Sequence, residues 1–380
     1  MNVFLLDSTV INTWSGVNKW MLMTAKGLRK RGHSIYCGGK LNSLFTDVCI
    51  KEGFNTYFLK FGMDYSIING YRLSRILRRH QIDAVIGHYN KDVKIAGIAR
   101  MFFNRFIIVA RAGLPSIRNT RRHRYIYKRM FDGIITNTKA IKRKYLSYGW
   151  MEDDIIRVIQ NGIEINVSND FDFNSIRQQY NLPKQRPVIG IFGRLEPQKQ
   201  INLFLDVAQN VRNEYPEAIF LIVGDGSLKD KIQRYACDLG IDDNVIIMGH
   251  QSKLDAIYTY CDIVLLTSAS EGVPNVLIEA MLFSRPVVAF NVGGVQELIQ
   301  SGKTGVVVPP NDVQSMTKET LRLIKSDEIR ESLGRAAKRH IKENYSIDKM
   351  ATSIEYYLKE LIDRKSNGKT QPQAVYSIKN

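Results

Sequence analysis

Two glutamates stand eight positions apart in the run Glu271-Gly272-Val273-Pro274-Asn275-Val276-Leu277-Ile278-Glu279. Pro274 favours the first turn of a helix, so Glu271 falls on a loop and Glu279 on the helix that follows. Carboxylates so placed can converge on one ligand, as an acid/base couple or as acceptors for hydroxyl groups. With Val273 at the cap position, whose side chain accepts no hydrogen bond, the amides of Asn275 and Val276 are left for an anion such as phosphate. A second constellation lies upstream in Gly193-Arg194-Leu195-Glu196-Pro197-Gln198-Lys199. Gly193 permits a tight turn, and Arg194 and Lys199 place two cations near a helix start. Two cations suit a diphosphate, each ionised hydrogen bond contributing about 1.5–3 kcal/mol, and Glu279 suits two neighbouring sugar hydroxyls. Together these residues describe a site for a nucleoside diphosphate.

Such a site needs strands and helices to hold it. Residues 263–266 and 287–290 read as buried strands with the glutamate helix between them, a βαβ unit, and ligands of such units bind beyond the carboxyl ends of the strands. The strand 188–192 likewise feeds the arginine–lysine loop and then an amphipathic stretch over 201–211. The first half repeats the alternation, with strands over 2–6, 34–37, 84–87 and 106–110. A loop with Trp14-Ser15-Gly16 precedes a helix over 17–30 that Gly32 closes. His88 follows one of these strands and falls on the ligand-facing rim, where it can orient a donor or meet an acceptor hydroxyl. Arg111, at another strand end, is open to a phosphate or to a surface ion pair, and His33 after Gly32 reads as a helix C-cap. The class is α/β.

In this order, Gly193-Arg194-Leu195-x-x-x-Lys199, Gly224-Asp225-Gly226, Glu271-Gly272 and Glu279 resemble the family 4 (group 1) retaining glycosyltransferases. Asn161-Gly162-Ile163-Glu164 and Gly293-Gly294 with Glu297 extend the likeness over most of the chain. The resemblance implies the GT-B architecture, two facing Rossmann-like domains with parallel sheets and a deep cleft between them. It also implies metal-independent, retaining transfer of a sugar from a nucleotide sugar, UDP- before GDP-, to a glycan or lipid-linked acceptor in surface polysaccharide, lipopolysaccharide or glycolipid assembly. On that reading Arg194 and Lys199 hold the diphosphate, with Gly272, Val273, Pro274, Asn275 and Val276 beside it. Glu279 takes the ribose, Glu271 the donor sugar, and His88 has a catalytic place. Gly249, His250 and Gln251 follow the strand 245–248, where the family makes backbone contacts to the base, and Gly16 matches its glycine-containing first loop. Many members carry two adjacent glycines where this chain has Ser15-Gly16, and Phe283-Ser284 replaces a small Ala-x-Gly pattern, from which only altered helix packing is expected.

Length and charge bear on the alternatives. A chain of 380 residues exceeds what one core serves. The expected division is an acceptor-binding domain over 1–165, a linker over 166–187 and a nucleotide-sugar domain over 188–344. A helix over 345–363 crosses back to the first domain, and a mobile tail occupies 364–380. No apolar run is long enough to span a bilayer and no signal peptide is legible, which points to the cytoplasm, with peripheral contact at the inner face of the membrane. Residues 1–165 carry 28 Lys and Arg against 11 Asp and Glu, whereas 166–380 balance at 26 and 26, so the whole excess of +17 is N-terminal. It gathers at Arg72, Arg75, Arg78 and Arg79, and again at Arg118, Arg121, Arg122, Arg124, Lys128 and Arg129. Tyr125, Tyr127 and Phe131 interleave the second group, the mixture of a helix lying on an anionic membrane surface. Solvated helix faces are the plainer alternative. No nucleic-acid motif accompanies the charge, so a nucleic-acid binder is disfavoured, as is a sugar-nucleotide epimerase or hydrolase on the same fold. The four cysteines, without C-x-x-C spacing, read as buried thiols rather than metal ligands, and Asp170-Phe171-Asp172 falls in the linker. No metal and no cofactor is expected.

Overall fold

The structure is a computed structural model that describes residues 1–8, 16–60, 66–88, 90–165, 178, 180, 187–251 and 253–368. Trp14, Ser15, nearly all of the expected linker with Asp170-Phe171-Asp172, and the end of the expected tail lie outside the described residues. The chain forms two compact units, one of Met1–Gly162 with Ile347–Asn380, the other of Ile163–Ser346.

The first unit runs β1 (Asn2–Asp7), α1 (Gly16–Lys30), β2 (Ser34–Gly39), α2 (Leu44–Lys51), β3 (Asn55–Phe58), α3 (Ile67–Arg79) and β4 (Ala84–Gly87). It continues through α4 (Asn90–Phe102), β5 (Ile107–Ala112), α5 (Arg121–Arg129), β6 (Gly133–Thr136), α6 (Lys139–Leu146) and β7 (Ile156–Val158). Its strands pair in parallel in the order β3-β2-β1-β4-β5-β6-β7. Successive residues of β1 feed opposite faces: Phe4 and Leu6 join the core under α3 to α6, while Val3 and Leu5 join a second core with Trp20, Met21 and Leu28 of α1. Apolar residues on both faces are what an all-parallel sheet covered by helices requires. The C-terminal helix, Ile347–Ser366, supplies Met350, Ile354, Tyr357, Leu358 and Leu361 to that second core. It runs past the expected end, and Arg364 of the expected tail is helical and paired with Asp154 at 2.8 Å.

The second unit holds β8 (Val188–Phe192), β9 (Ile219–Val223), β10 (Val245–Gly249), β11 (Ile263–Leu266), β12 (Val287–Phe290) and β13 (Val306–Val308), in the order β10-β9-β8-β11-β12-β13. Each sheet reverses its winding once, between β1 and β4 and between β8 and β11. The loops leaving neighbouring strands diverge at such a point and leave a crevice at their carboxyl ends.

Several sequence expectations are corrected. Strand β5 takes in Arg111, which is buried within the sheet rather than paired on the surface. Tyr127 and Phe131 are buried edge to face against each other, with centroids 4.4 Å apart, so only Tyr125 of the three aromatic residues is exposed. Cys37, Cys49 and Cys261 are buried thiols, but Cys237 is exposed. The His33 backbone N–H closes α1 onto Leu28, while its ring meets the Met1 amine at 3.1 Å.

Candidate functional site

At the β8–β11 reversal the two loops are tied together. The Thr267 hydroxyl donates to the Lys199 carbonyl at 2.9 Å, the Ala269 N–H to the Gln198 carbonyl at 2.9 Å, and the Gln198 amide to the Ser270 carbonyl at 2.5 Å. These bonds bring the Lys199 ammonium to 2.6 Å from the Glu271 Oε1, both side chains largely buried. The cation expected to face a phosphate and the acid expected to face a sugar thus neutralise each other. In so sheltered a place an ion pair is worth more than on the surface, and an incoming group must compensate each charge that it separates. Arg194 is exposed. Glu196 is held by the Ser227 N–H at 3.2 Å and hydroxyl at 2.9 Å, bonds that lower its pKa.

The glutamate loop rests on a glycine turn. Gly293 has φ of +54°, and a Cβ there would stand 1.7 Å from the Glu271 carbonyl oxygen; Gly294 donates to the Gly272 carbonyl at 2.8 Å. Only glycine supplies that backbone conformation and that approach together. Gly224 plays the same part beneath the other loop, its φ at +146° and a Cβ falling 1.8 Å from the Gly193 carbonyl oxygen.

The helix after Glu271 begins at Asn275, one residue later than expected. Pro274 is itself the N-cap, extended at φ −72° and ψ 110°, and its carbonyl accepts from Leu277 at 3.1 Å. As expected of a non-polar cap, Pro274 makes no side-chain capping bond. Gly272, Val273 and Pro274 are buried, Asn275 and Val276 half-buried. Glu279, one turn in, accepts from the Tyr258 hydroxyl at 2.9 Å. Tyr258 is fully buried between Phe192, at 4.0 Å between centroids, and Phe283 at 5.8 Å; burial and then the Glu279 charge raise its pKa far above the ordinary value. A neutral phenol there fixes one oxygen of the carboxylate. At the end of β10, Gly249 and exposed His250 lead to Gln251, whose amide donates to the Met248 carbonyl at 2.7 Å and the Tyr180 hydroxyl at 2.6 Å.

At the β1–β4 reversal of the first unit, buried Asp92 gathers two strand ends, accepting from the Ser8 N–H at 3.0 Å and the His88 N–H at 3.1 Å. Burial, with the Arg111 guanidinium next in weight, pulls the His88 imidazole well below its ordinary pKa, so the ring is neutral at neutral pH. Arg111 stacks 5.0 Å over the Trp20 ring and donates to Asn161 at 3.4 Å. Gly16 opens α1 and is exposed. Arg121, Arg122, Arg124, Lys128 and Arg129 line exposed positions of α5, Arg118 stands exposed before it, and Arg129 covers the Tyr125 ring at 5.0 Å. Among the described residues no cluster of three or more His, Cys, Asp or Glu could hold a metal ion.

Sequence reasoning singled out Lys199, Glu271 and Glu279, and missed what holds them. Thr267, Gln198 and Tyr258 carry no spacing signal, because each works through a loop or a short helix whose partner is distant in sequence. Asp92 had a local sign, an acid in the first turn of a helix just after His88.

The model of glycosyl transferases group 1 matches residues 172–340, and that of glycosyltransferase family 4 matches 14–167. The poly(ribitol-phosphate) alpha-N-acetylglucosaminyltransferase of Staphylococcus aureus is 30% identical over 49% of this chain and 38% of its own length. The N-acetyl-alpha-D-glucosaminyl L-malate synthase of Bacillus anthracis is 22% identical over 90% of this chain and 93% of its own. In fold, the chain superposes on Anabaena HepE in complex with UDP with a TM-score of 0.83 at 22% identity, covering 95% of this chain and 100% of that one. Two parallel sheets flanked by helices, each with one reversal of winding, are the GT-B architecture. The chain belongs to the family 4, group 1 glycosyltransferases.

Proposed function

We propose that the second unit binds a nucleoside diphosphate sugar, UDP- before GDP-, and that the enzyme transfers the sugar with retention and without a metal ion to a glycan or lipid-linked acceptor. The observation that carries this reading is the Lys199–Glu271 pair at the β8–β11 reversal, on the loop that leads into the helix starting at Asn275. In the proposal, the donor separates the pair. Lys199, Arg194 and the amides at Asn275 and Val276 take the diphosphate, and its developing negative charge is met by charges already in place. Glu271, released from Lys199, accepts from hydroxyls of the sugar and sets the reacting carbon. Glu279, held by Tyr258, accepts from the ribose hydroxyls. On the first unit, neutral His88 is suited to accept or donate one hydrogen bond at an acceptor hydroxyl. Two likenesses support the substrate classes: HepE has been crystallised with UDP and with UDP-glucose, and the name of the staphylococcal relative specifies an anionic polymer as acceptor. A basic first unit suits an acceptor of that charge, in surface polysaccharide or glycolipid assembly.

The test is incubation with a panel of radiolabelled nucleotide sugars and membrane extract in the presence of a chelator, followed by separation of lipid, polymer and free sugar. Label in lipid or polymer, insensitive to chelator and lost in Glu271→Gln, supports the proposal. Dependence on added magnesium refutes the metal-free part, and label only in free sugar refutes transfer.

A further inference from the structure

Of the large apolar side chains that stay exposed in the first unit, five lie on two neighbouring helices, whereas others, such as Leu41, Ile50 and Tyr356, stand outside them. Ile67 and Ile68, each 66% exposed, and Tyr71, 50% exposed, occupy the first turns of α3, while Met101, 81% exposed, and Phe102 end α4. The two helices pack so closely that a Cβ on Gly70 would meet the Ile98 side chain at 2.3 Å, and Tyr71 meets Phe102 edge-on with centroids 5.4 Å apart. The five residues are therefore one patch. Beyond it, the exposed face of α3 continues as Arg72, Arg75 and Arg79, at the helical spacing that keeps them on the side of Ile68 and Tyr71. Arg78 turns toward α4 and donates to the Phe102 carbonyl at 2.6 Å. Helix α3 contains no acid at all.

We propose that this α3–α4 face docks the protein on an anionic lipid bilayer, with Ile67, Ile68 and Met101 entering the acyl boundary and Arg72, Arg75 and Arg79 lying among the headgroups. An apolar tip with a cationic flank is the pattern of an interfacial helix. A soluble polyanion would be served by the arginines alone, and exposing two isoleucines and a methionine beside them would gain nothing from it. Helix α5 has more cations but offers no comparable tip, because Tyr127 and Phe131 are buried and Arg129 covers Tyr125. Among the described residues no helix is long and apolar enough to cross a membrane, so the contact is superficial. The surface lies within the first unit and stands or falls separately from the donor-site reading.

The experiment is cosedimentation of the full chain with phosphatidylcholine vesicles with and without phosphatidylglycerol, with a thermal-shift measurement on every protein to show that it is folded. The native protein is expected to partition to the anionic vesicles. Ile67→Ser/Ile68→Ser/Met101→Ser should weaken this at least about tenfold through lost apolar burial. Arg72→Gln/Arg75→Gln/Arg79→Gln should weaken it about a hundredfold, at about fivefold (about 1 kcal/mol) per arginine. Arg121→Gln/Arg124→Gln/Tyr125→Ser on α5 should cost less than either. The proposal is overturned if the native protein ignores anionic vesicles or if the α5 variant loses as much as the α3–α4 variants. It is equally overturned if the serine variant binds like the native protein while heparin competes, which would mark a polyanion groove.

Discussion

In the proposed donor site, Glu279 and Tyr258 show how a carboxylate's placement is shared with its neighbour. The Tyr258 hydroxyl is the fixed donor to the Glu279 carboxylate, and the ring keeps its place by stacking rather than by that bond. Tyr258→Phe should therefore fold normally and bind UDP about tenfold more weakly, near the low end for a hydrogen bond to a charged group. Unchanged affinity by calorimetry would show that Glu279 needs no such anchor. His88 yields a prediction of a different kind. Its pKa is depressed by burial and by Arg111, so the folded chain binds fewer protons there than the unfolded chain does. The stability contributed by the neutral ring is fully present above its ordinary pKa of 6.5 and is lost as the pH falls toward the folded value. His88→Gln should flatten the fall in melting temperature between about pH 7.5 and about pH 5. An identical pH profile in the variant would mean that the ring is not held neutral. Neither residue's environment was legible in advance: His88 could be placed on a strand end, but its neutrality depends first on burial by the folded chain and then on an arginine 23 positions away in sequence.

At the scale of elements, the sequence was most informative where strands are apolar and buried on both faces. The spans of β4, β8, β11 and β12 coincide with the apolar runs that announced them. Strands β7 and β13 have only three residues, and β3, Asn55–Phe58, mixes polar with half-buried and exposed positions, so no apolar run announces any of them. The glycine pair at 293 and 294 was visible as a motif, but its reason appears only in the packing, where Gly293 lies directly against the Glu271 carbonyl. Gly293→Ala must push that loop aside. Since a misplacement near 1 Å costs on the order of a hundredfold, transfer should fall by about that factor. Activity within about twofold of native would show that the loop's position is not critical. The Phe283-Ser284 departure also proves to be more than altered packing. Ser284 follows the glutamate helix with φ of +59°, a left-handed conformation that costs a non-glycine residue roughly 1–2 kcal/mol. Ser284→Gly should raise the unfolding free energy by about 0.5 kcal/mol, the relief of that strain less the chain entropy glycine adds to the unfolded state. A lower denaturant midpoint in the variant would contradict this.

For the whole molecule, the division of labour was legible in charge before it was visible in structure. The second unit, which holds the residues proposed for the nucleotide, carries 20 Lys and Arg against 23 Asp and Glu, whereas the first carries 34 against 14. What charge could not decide was which basic helix also presents apolar side chains, because that depends on which aromatic residues the core withdraws. The placement of Tyr127 and Phe131 inside and of Ile67, Ile68 and Met101 outside follows from packing against other helices, not from local composition. The central claim concerns the second unit, and titration calorimetry of UDP into the full chain in the presence of a chelator tests it most directly. The account predicts saturable, metal-independent binding that weakens about tenfold or more in Arg194→Ala and in Lys199→Ala, since each removes a charge-assisted contact to the diphosphate. Binding that is absent in the native protein, or that is unchanged in both variants, would contradict it.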